Sequence, residues 1–126
     1  MNPQHLKYTE NHEWIRDDGK LFVVGITEYA VEQLGDITYI ELPDVGSDVT
    51  QDDDVASVES VKAASEVYAP VGGHVAAVNE QLLDHPEIVN KSPYEDGWFF
   101  KLEGIDRVEY DALMSADQYE SYLKEQ

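Results

Sequence analysis

Short apolar runs alternate with polar turns along most of this chain, and from Val108 onward the spacing becomes helical. Leu6–Tyr8 and Glu13–Arg16 read as short strands on either side of a polar Thr9–His12 connection. Asp17-Asp18-Gly19-Lys20 is a turn by composition, and Leu21-Phe22-Val23-Val24 is an apolar strand that stops at Gly25. Thr27–Leu34 predicts a short helix. Thr27 suits its N-cap, Glu28 its positive first turn, and Gly35 its stop, with Ala30, Val31 and Leu34 recurring on one face. Ile37–Ile40 is a strand ended by Pro43, and Val75–Val78 is another. Asn79–Glu87 reads as a polar connection with Leu82 and Leu83 buried or half-buried, and His85-Pro86 within it as extended or turned. Asn90–Trp98 reads as loop, and Trp98–Leu102 as a closing strand. Ser115-Ala116-Asp117-Gln118 has capping-box form, which starts a terminal helix at about 115–125 with Tyr119, Tyr122 and Leu123 as its packing face.

The stretch Val55–Val75 organises the rest. Val55, Val58 and Val61 lead into a turn, and Val67, Tyr68 and Val71 lead out, so two strands joined by a tight connection are expected. Pro70 and Gly72-Gly73 mark a second turn. Lys62 stands at the first turn with small Ala63 and Ala64 beside it, and Glu59-Ser60 and Ser65-Glu66 flank it almost as mirror images. A protruding lysine with small neighbours is accessible to an acylating enzyme and suits a swinging prosthetic arm. The plainer account, a surface lysine on a hairpin, must explain why one of only six lysines stands in so patterned a setting. A weak echo, Val45-Gly46-x-x-Val49 and Val71-Gly72-x-x-Val75, flanks the hairpin and would suit a quasi-symmetric flattened barrel.

Composition narrows the function. A chain of 126 residues, 42% hydrophobic, is expected to form one domain, 1–126, with a sizeable core. No apolar run is long enough to span a membrane, and the start has neither signal-peptide nor transit-peptide form, so a cytoplasmic protein is expected. With no cysteine there is no disulfide, thiolate ligand or cysteine nucleophile, and sulfur redox chemistry would need a cofactor. Twenty-seven acidic residues against eight basic ones give a net charge of −19, which excludes nucleic acid as a partner and disfavours an anionic membrane. Trp14 is assigned to the core, because aromatic side chains bury large areas. Asp52-Asp53-Asp54 lacks EF-hand spacing and reads as a solvated acidic loop. His5, His12, His74 and His85 lack metal-ligand spacing and read as scattered surface histidines, so no metal site is expected. No nucleophile elbow, Walker sequence, dinucleotide fingerprint or zincin motif is present, so no catalytic residue is assigned and a non-catalytic carrier is expected.

Glu59–Ser65, ESVKAAS, resembles the lipoyl-lysine motif of the glycine cleavage system H protein family. Biotin carriers place methionines beside the lysine, and lipoyl domains of the 2-oxoacid dehydrogenases usually carry Asp-Lys-Ala; Ser60-Val61-Lys62-Ala63 matches neither as well. The likeness runs roughly from Leu6 to Leu102, through Leu6-Lys7-Tyr8, His12-Glu13-Trp14, Gly25-Ile26-Thr27, Thr27–Ala30, Gln33–Asp36, Glu41–Gly46, Val89-Asn90, Ser92-Pro93-Tyr94 and Gly97-Trp98. It implies a mainly β fold, a barrel-sandwich hybrid of lipoyl/biotinyl type with short helices and a C-terminal helix, and lipoate in amide linkage on Lys62. It further implies passage of the aminomethyl group of glycine from a pyridoxal-phosphate (PLP) glycine decarboxylase to a tetrahydrofolate-dependent aminomethyltransferase. Reoxidation by dihydrolipoamide dehydrogenase with FAD and NAD then closes the cycle. Acidic residues that hold the amine of the loaded arm fall by motif match on Glu13 and Glu66, the latter longer than the Asp common in the family. An exposed strand carboxylate is the plain alternative for Glu13. Glu59 is assigned to recognition by the lipoylating enzyme, an account that a salt-adapted surface matches equally. Other readings are an H-like protein relaying lipoyl groups in lipoate assembly, a biotin carrier, and last a structural protein with Lys62 unmodified.

At this charge density self-repulsion opposes the compact state, and salt screens it, with a Debye length of about 3 Å at 1 M. The expectation is a salt-adapted protein of a halophile, with docking on basic partners as the rival account of the charge. The melting temperature should therefore climb steadily as KCl is raised toward molar concentration; a flat profile would refute salt adaptation.

Overall fold

A computed structural model describes residues 2–125, and nine strands and five short helices are present among them. Strands β1 (Lys7–Tyr8), β2 (Glu13–Asp18), β3 (Leu21–Ile26), β5 (Asp48–Val49), β8 (Gly73–Val78) and β9 (Phe100–Glu103) form one sheet in the order β1-β2-β3-β9-β8-β5. Strands β4 (Ile37–Glu41), β6 (Asp54–Ser60) and β7 (Ala64–Tyr68) form a second, in the order β4-β6-β7. Every pairing is antiparallel. The fold is thus mainly β and sandwich-like as expected, but its sheets do not close into a barrel.

Strand β3 reads as an unbroken apolar run because its sheet is covered on both faces. Ile15, Phe22, Val24 and Ile26 join a core with Ile40, Val58 and Val67 of the second sheet, whereas Trp14 and Val23 face a smaller cluster with Tyr8 and Tyr119. Tyr119 belongs to helix α5 (Ala116–Lys124), which opens with the expected capping box at Ser115 and Gln118. Its ring stacks on Tyr8 at 4.7 Å, and its hydroxyl bonds Thr27 Oγ1 at 2.9 Å and His12 Nδ1 at 2.7 Å. Helix α1 (Glu28–Leu34) has Thr27 as N-cap and Gly35 as C-cap, both as read from the sequence.

Several expectations need correcting. His12 is no plain surface histidine: its ring packs 4.7 Å from Tyr29, and burial lowers its pKa. The polar stretch after β8 folds into single helical turns, α2 (Gln81–Asp84) and α3 (Glu87–Lys91), too short to show a period in sequence. Leu82 is buried, but Leu83, one position and about 100° around α2, is 53% exposed. The strand expected from Trp98 is two residues later, because Asn79 Nδ2 takes the carbonyls of Asp96 and Trp98 away from any ladder. Strand β2 runs on to Asp18 in a hairpin with Leu21 opposite.

The sequence echo has a structural counterpart. Asp48 pairs with His74, the residue at the same place in the second unit, and Gly46 and Ser47 bond the backbone of Val75. The two units therefore cross at a local two-fold axis, without the closed barrel that the echo suggested.

Gly25 is a point of close approach in the six-stranded sheet. It faces Trp14 across the β2–β3 ladder, and a Cβ there would lie 2.6 Å from the indole, which is fully buried and held by a 3.0 Å bond from Nε1 to the Pro93 carbonyl. Gly25→Ala should destabilise the protein by about 1–3 kcal/mol, the usual cost of overpacking. The urea midpoint measures this.

Candidate functional site

Strands β6 and β7 form the hairpin expected around Lys62, paired from Asp54↔Tyr68 to Glu59↔Ala64. The tip, Val61-Lys62-Ala63, is shaped by Ser60. Its hydroxyl accepts from Lys62 N at 3.2 Å and Ala63 N at 3.1 Å and donates to the Ala63 carbonyl at 3.0 Å. A hydroxyl has one donor and two acceptor positions, and this turn uses all three. Ser60 N also donates to the Ala63 carbonyl at 2.8 Å. The tip is then tied to the body, because Val61 N donates to the Asp36 carbonyl at 3.0 Å.

Lys62 is exposed, as are Ala63 and Ala64 beside it. Its aliphatic stem lies across Gly35, with Cε 3.2 Å from where a Cβ on that residue would stand. Gly35 is at φ +75°, so its identity serves both the helix stop and the lysine. Ser60, Gly35 and Asp36 were visible as motif residues, but their joint service to Lys62 was not. The signal available in sequence was the α1 stop, which gives no hint that the hairpin tip returns to it.

The candidate carboxylates separate into two environments. Glu59 and Glu66 are both exposed, and alternation along the paired strands places them on the outer face of the three-stranded sheet. Glu41, Ser57 and Glu66 form one cross-strand row there. Glu66 lines a groove of about 350 Å³ with Glu41 and Asp54. A hydrogen bond with Asp54, and that residue's charge, raise the Glu66 pKa.

Glu13 is the opposite case and corrects the exposed-carboxylate alternative: it is 1% exposed. Thr9 Oγ1 donates to its Oε1 at 2.6 Å, and Tyr68 N donates to its Oε2 at 3.0 Å, so one carboxyl joins β2 of one sheet to β7 of the other. Burial pushes its pKa up to about 7, opposed by these two hydrogen bonds and reinforced by the charge of Asp52. Thr9 and Asp52 line a separate depression of about 340 Å³. Glu13 and Glu66 therefore reach the same strand two residues apart but do not share a pocket. A further groove, about 590 Å³, is lined by Asp48, His74 and Glu103 and includes none of the candidate residues. Among the described residues no cluster of His, Asp and Glu could hold a metal ion, and no helix is long and apolar enough to cross a membrane. What the tip offers for covalent use is a primary amine on an exposed, hydrogen-bonded turn.

Comparison with known proteins agrees with this geometry. The family model described as glycine cleavage H-protein matches residues 6–126. The glycine cleavage system H protein of Listeria monocytogenes serotype 4a is 51% identical over 121 residues, 96% of this chain and 97% of that protein. That of Psychrobacter cryohalolentis is 52% identical over 123 residues, again 96% and 97%. A crystal structure of a glycine cleavage system H protein from Mycobacterium marinum superposes with a TM-score of 0.87 at 32% identity, covering 98% of this chain and 99% of that one. With a full-length sequence match, the same fold and an exposed lysine at the hairpin tip, the chain belongs to the glycine cleavage H-protein family.

Proposed function

We propose that this protein is the lipoyl carrier of a glycine cleavage system, with lipoate joined in amide linkage to Lys62. The observation that carries the reading is the tip itself: an exposed amine with small neighbours, its backbone held by Ser60 and Asp36 and its stem laid on Gly35. Those residues fit the group. Among the described residues the ammonium makes no ion pair that acylation would break, and the turn keeps its shape through backbone and serine bonds that do not involve the side chain. When bound, the lipoyl group supplies a dithiolane, sulfur chemistry that this cysteine-free chain lacks. The chain's own part is placement, since tethering raises the local concentration of the carried group at a docked active site. The protein serves as a non-catalytic subunit that carries the aminomethyl group of glycine. Its partners are a PLP-dependent decarboxylase, a tetrahydrofolate-dependent aminomethyltransferase, dihydrolipoamide dehydrogenase and a lipoylating enzyme. The names of the relatives favour this role over lipoyl relay or biotin carriage.

Glu13 and Glu66 are assigned to holding the cationic amine of the cargo, and Glu59 to recognition by the lipoylating enzyme. What supports Glu13 is a carboxyl kept out of water behind Thr9, where an ammonium would gain most from pairing. Glu66 offers a second carboxyl in an acidic groove, where its neighbour Asp54 raises its pKa. Glu59 stands on the last β6–β7 rung before the tip that carries Lys62.

Two measurements test this reading. Incubation with a lipoate ligase, lipoate and ATP in high salt, followed by intact and peptide mass spectrometry, should show a single lipoyl adduct on Lys62 that is absent from Lys62→Arg. No adduct on folded protein would reject the carrier role, and a biotin adduct instead would identify the other carrier class. The second concerns Glu13, whose folded pKa of about 7 lies above its ordinary 4.5, so the folded state holds the proton more tightly. The stability this group contributes is complete below pH 4.5, declines as pH rises, and is gone above about 7. Glu13→Gln should therefore be more stable than the native protein at pH 8 by roughly 2–3 kcal/mol, and gain little at pH 4.5. Urea unfolding of the pair at both pH values measures it; a pH-independent difference would mean that the carboxyl carries no burial penalty.

A further inference from the structure

We infer that Asn90 is a positioning residue for the modified lysine, an assignment that rests on the reading of Lys62 as the lysine that is acylated. Asn90 lies on α3, one position after fully buried Val89, which seats that turn on the core. Its side chain makes two bonds to the backbone at the end of α1 and the start of β4. Nδ2 donates to the Gly35 carbonyl at 2.9 Å, and Oδ1 accepts from Ile37 N at 3.0 Å. A carbonyl needs a donor and an N–H needs an acceptor, so the two partners determine the orientation of the amide.

Between those two bonded residues lies Asp36. Its carbonyl is the one that receives Val61 N, the only tie between the lysine tip and the α1–β4 connection among the described backbone bonds. Gly35, on the other side, is the surface on which Lys62 Cε rests. The side chain of Asn90 therefore clamps, from both ends, the three residues that fix and underlie Lys62, without touching the lysine. No other side chain among the described residues bonds the backbone of Gly35, Asp36 or Ile37. An enzyme that must thread this amine into its active site gains from a tip that is already ordered. Releasing the clamp lets Asp36 move and the tip with it. A merely structural Asn90, capping the end of α1, would instead cost global stability and leave the tip no worse than the rest of the molecule.

The test uses unmodified, isotopically labelled full chain with Asn90→Ala and Asn90→Asp; the aspartate keeps the acceptor for Ile37 N and loses the donor to Gly35. Val75→Ala, in the core of β8, supplies a destabilised control remote from the tip. Amide exchange is read at Val61, with Val23 and Val24 as references, and lipoate ligase kinetics are read with each protein as substrate. In both Asn90 variants Val61 should exchange about tenfold faster relative to Val23 and Val24, and KM for the ligase should rise about tenfold with kcat held, as expected when hydrogen bonds that order a binding segment are lost. Val75→Ala should leave both ratios unchanged. If Asn90→Ala does not fold, Asn90→Asp carries the comparison alone. Val61 exchange that follows the global references, or an unaltered KM, overturns the assignment. Should the native chain accept no lipoyl group, the carrier reading fails, while the exchange ratio still decides whether Asn90 holds the tip.

Discussion

The backbone bond from Val61 to Asp36 is the contact that ties the lysine tip to the end of α1. A two-stranded hairpin is marginal by itself in water, and a lysine at its end would wander with it. Strand β4 turns the hairpin into a three-stranded sheet, Ser60 closes the turn from inside, and Asp36 ties the closed turn to the end of α1. The outcome is an exposed side chain on a hydrogen-bonded turn, its stem resting on Gly35. Placement of that kind is what a carrier contributes when its prosthetic group supplies the chemistry.

The two sheets are joined by a carboxyl, an unusual choice for so buried a position. Glu13 satisfies both oxygens, one with Thr9 and one with Tyr68 N, so the group is tolerated; yet its raised pKa shows that ionisation there is costly. A neutral side chain of the same shape would serve the seam better. Keeping a carboxyl poised near neutrality makes sense where a cation must be met, which is the role assigned to Glu13 in the carrier reading. Glu66, two residues along β7 from the point that Glu13 touches, has the reverse environment: an exposed position and a neighbouring carboxyl. The same residue type thus has its pKa raised by desolvation in one place and, in the other, by a hydrogen bond with Asp54 and that residue's charge.

The acidity of the surface belongs to a different level of the design. Glu41, Asp54 and Glu66 crowd one groove, and Glu59 stands on the same outer face of the sheet. Much of that charge is available to solvent and to partners rather than to the fold. Opposite-charge pairs do occur, as between Arg107 and Asp17 and between Arg16 and Asp18, but they lie on exposed surface, where such contacts contribute little. Stability comes instead from the two apolar clusters, one between the sheets and one under α5.

Local chemistry determined a good deal by sequence alone. The strand–turn–strand around Lys62, the caps at Thr27, Gly35 and Ser115, the buried Trp14 and the family motif are all written in nearest neighbours, because capping, turn preference and alternation act over a few residues. Tertiary structure decided what those neighbours meet. Glu13 reads as an ordinary strand carboxylate until β7 is laid beside it, and His12 as a surface residue until α5 brings Tyr119. The one-turn helices α2 and α3 exist because Leu82 and Val89 find the core, not because their segments favour helix. The echo around the hairpin suggested a closed barrel, but the chain keeps two separate sheets and uses the repeat only for a local crossing. Likewise Asn90, one residue of a loop-like motif, acquires its place beneath the lysine only through contacts more than fifty positions away, which no local pattern encodes.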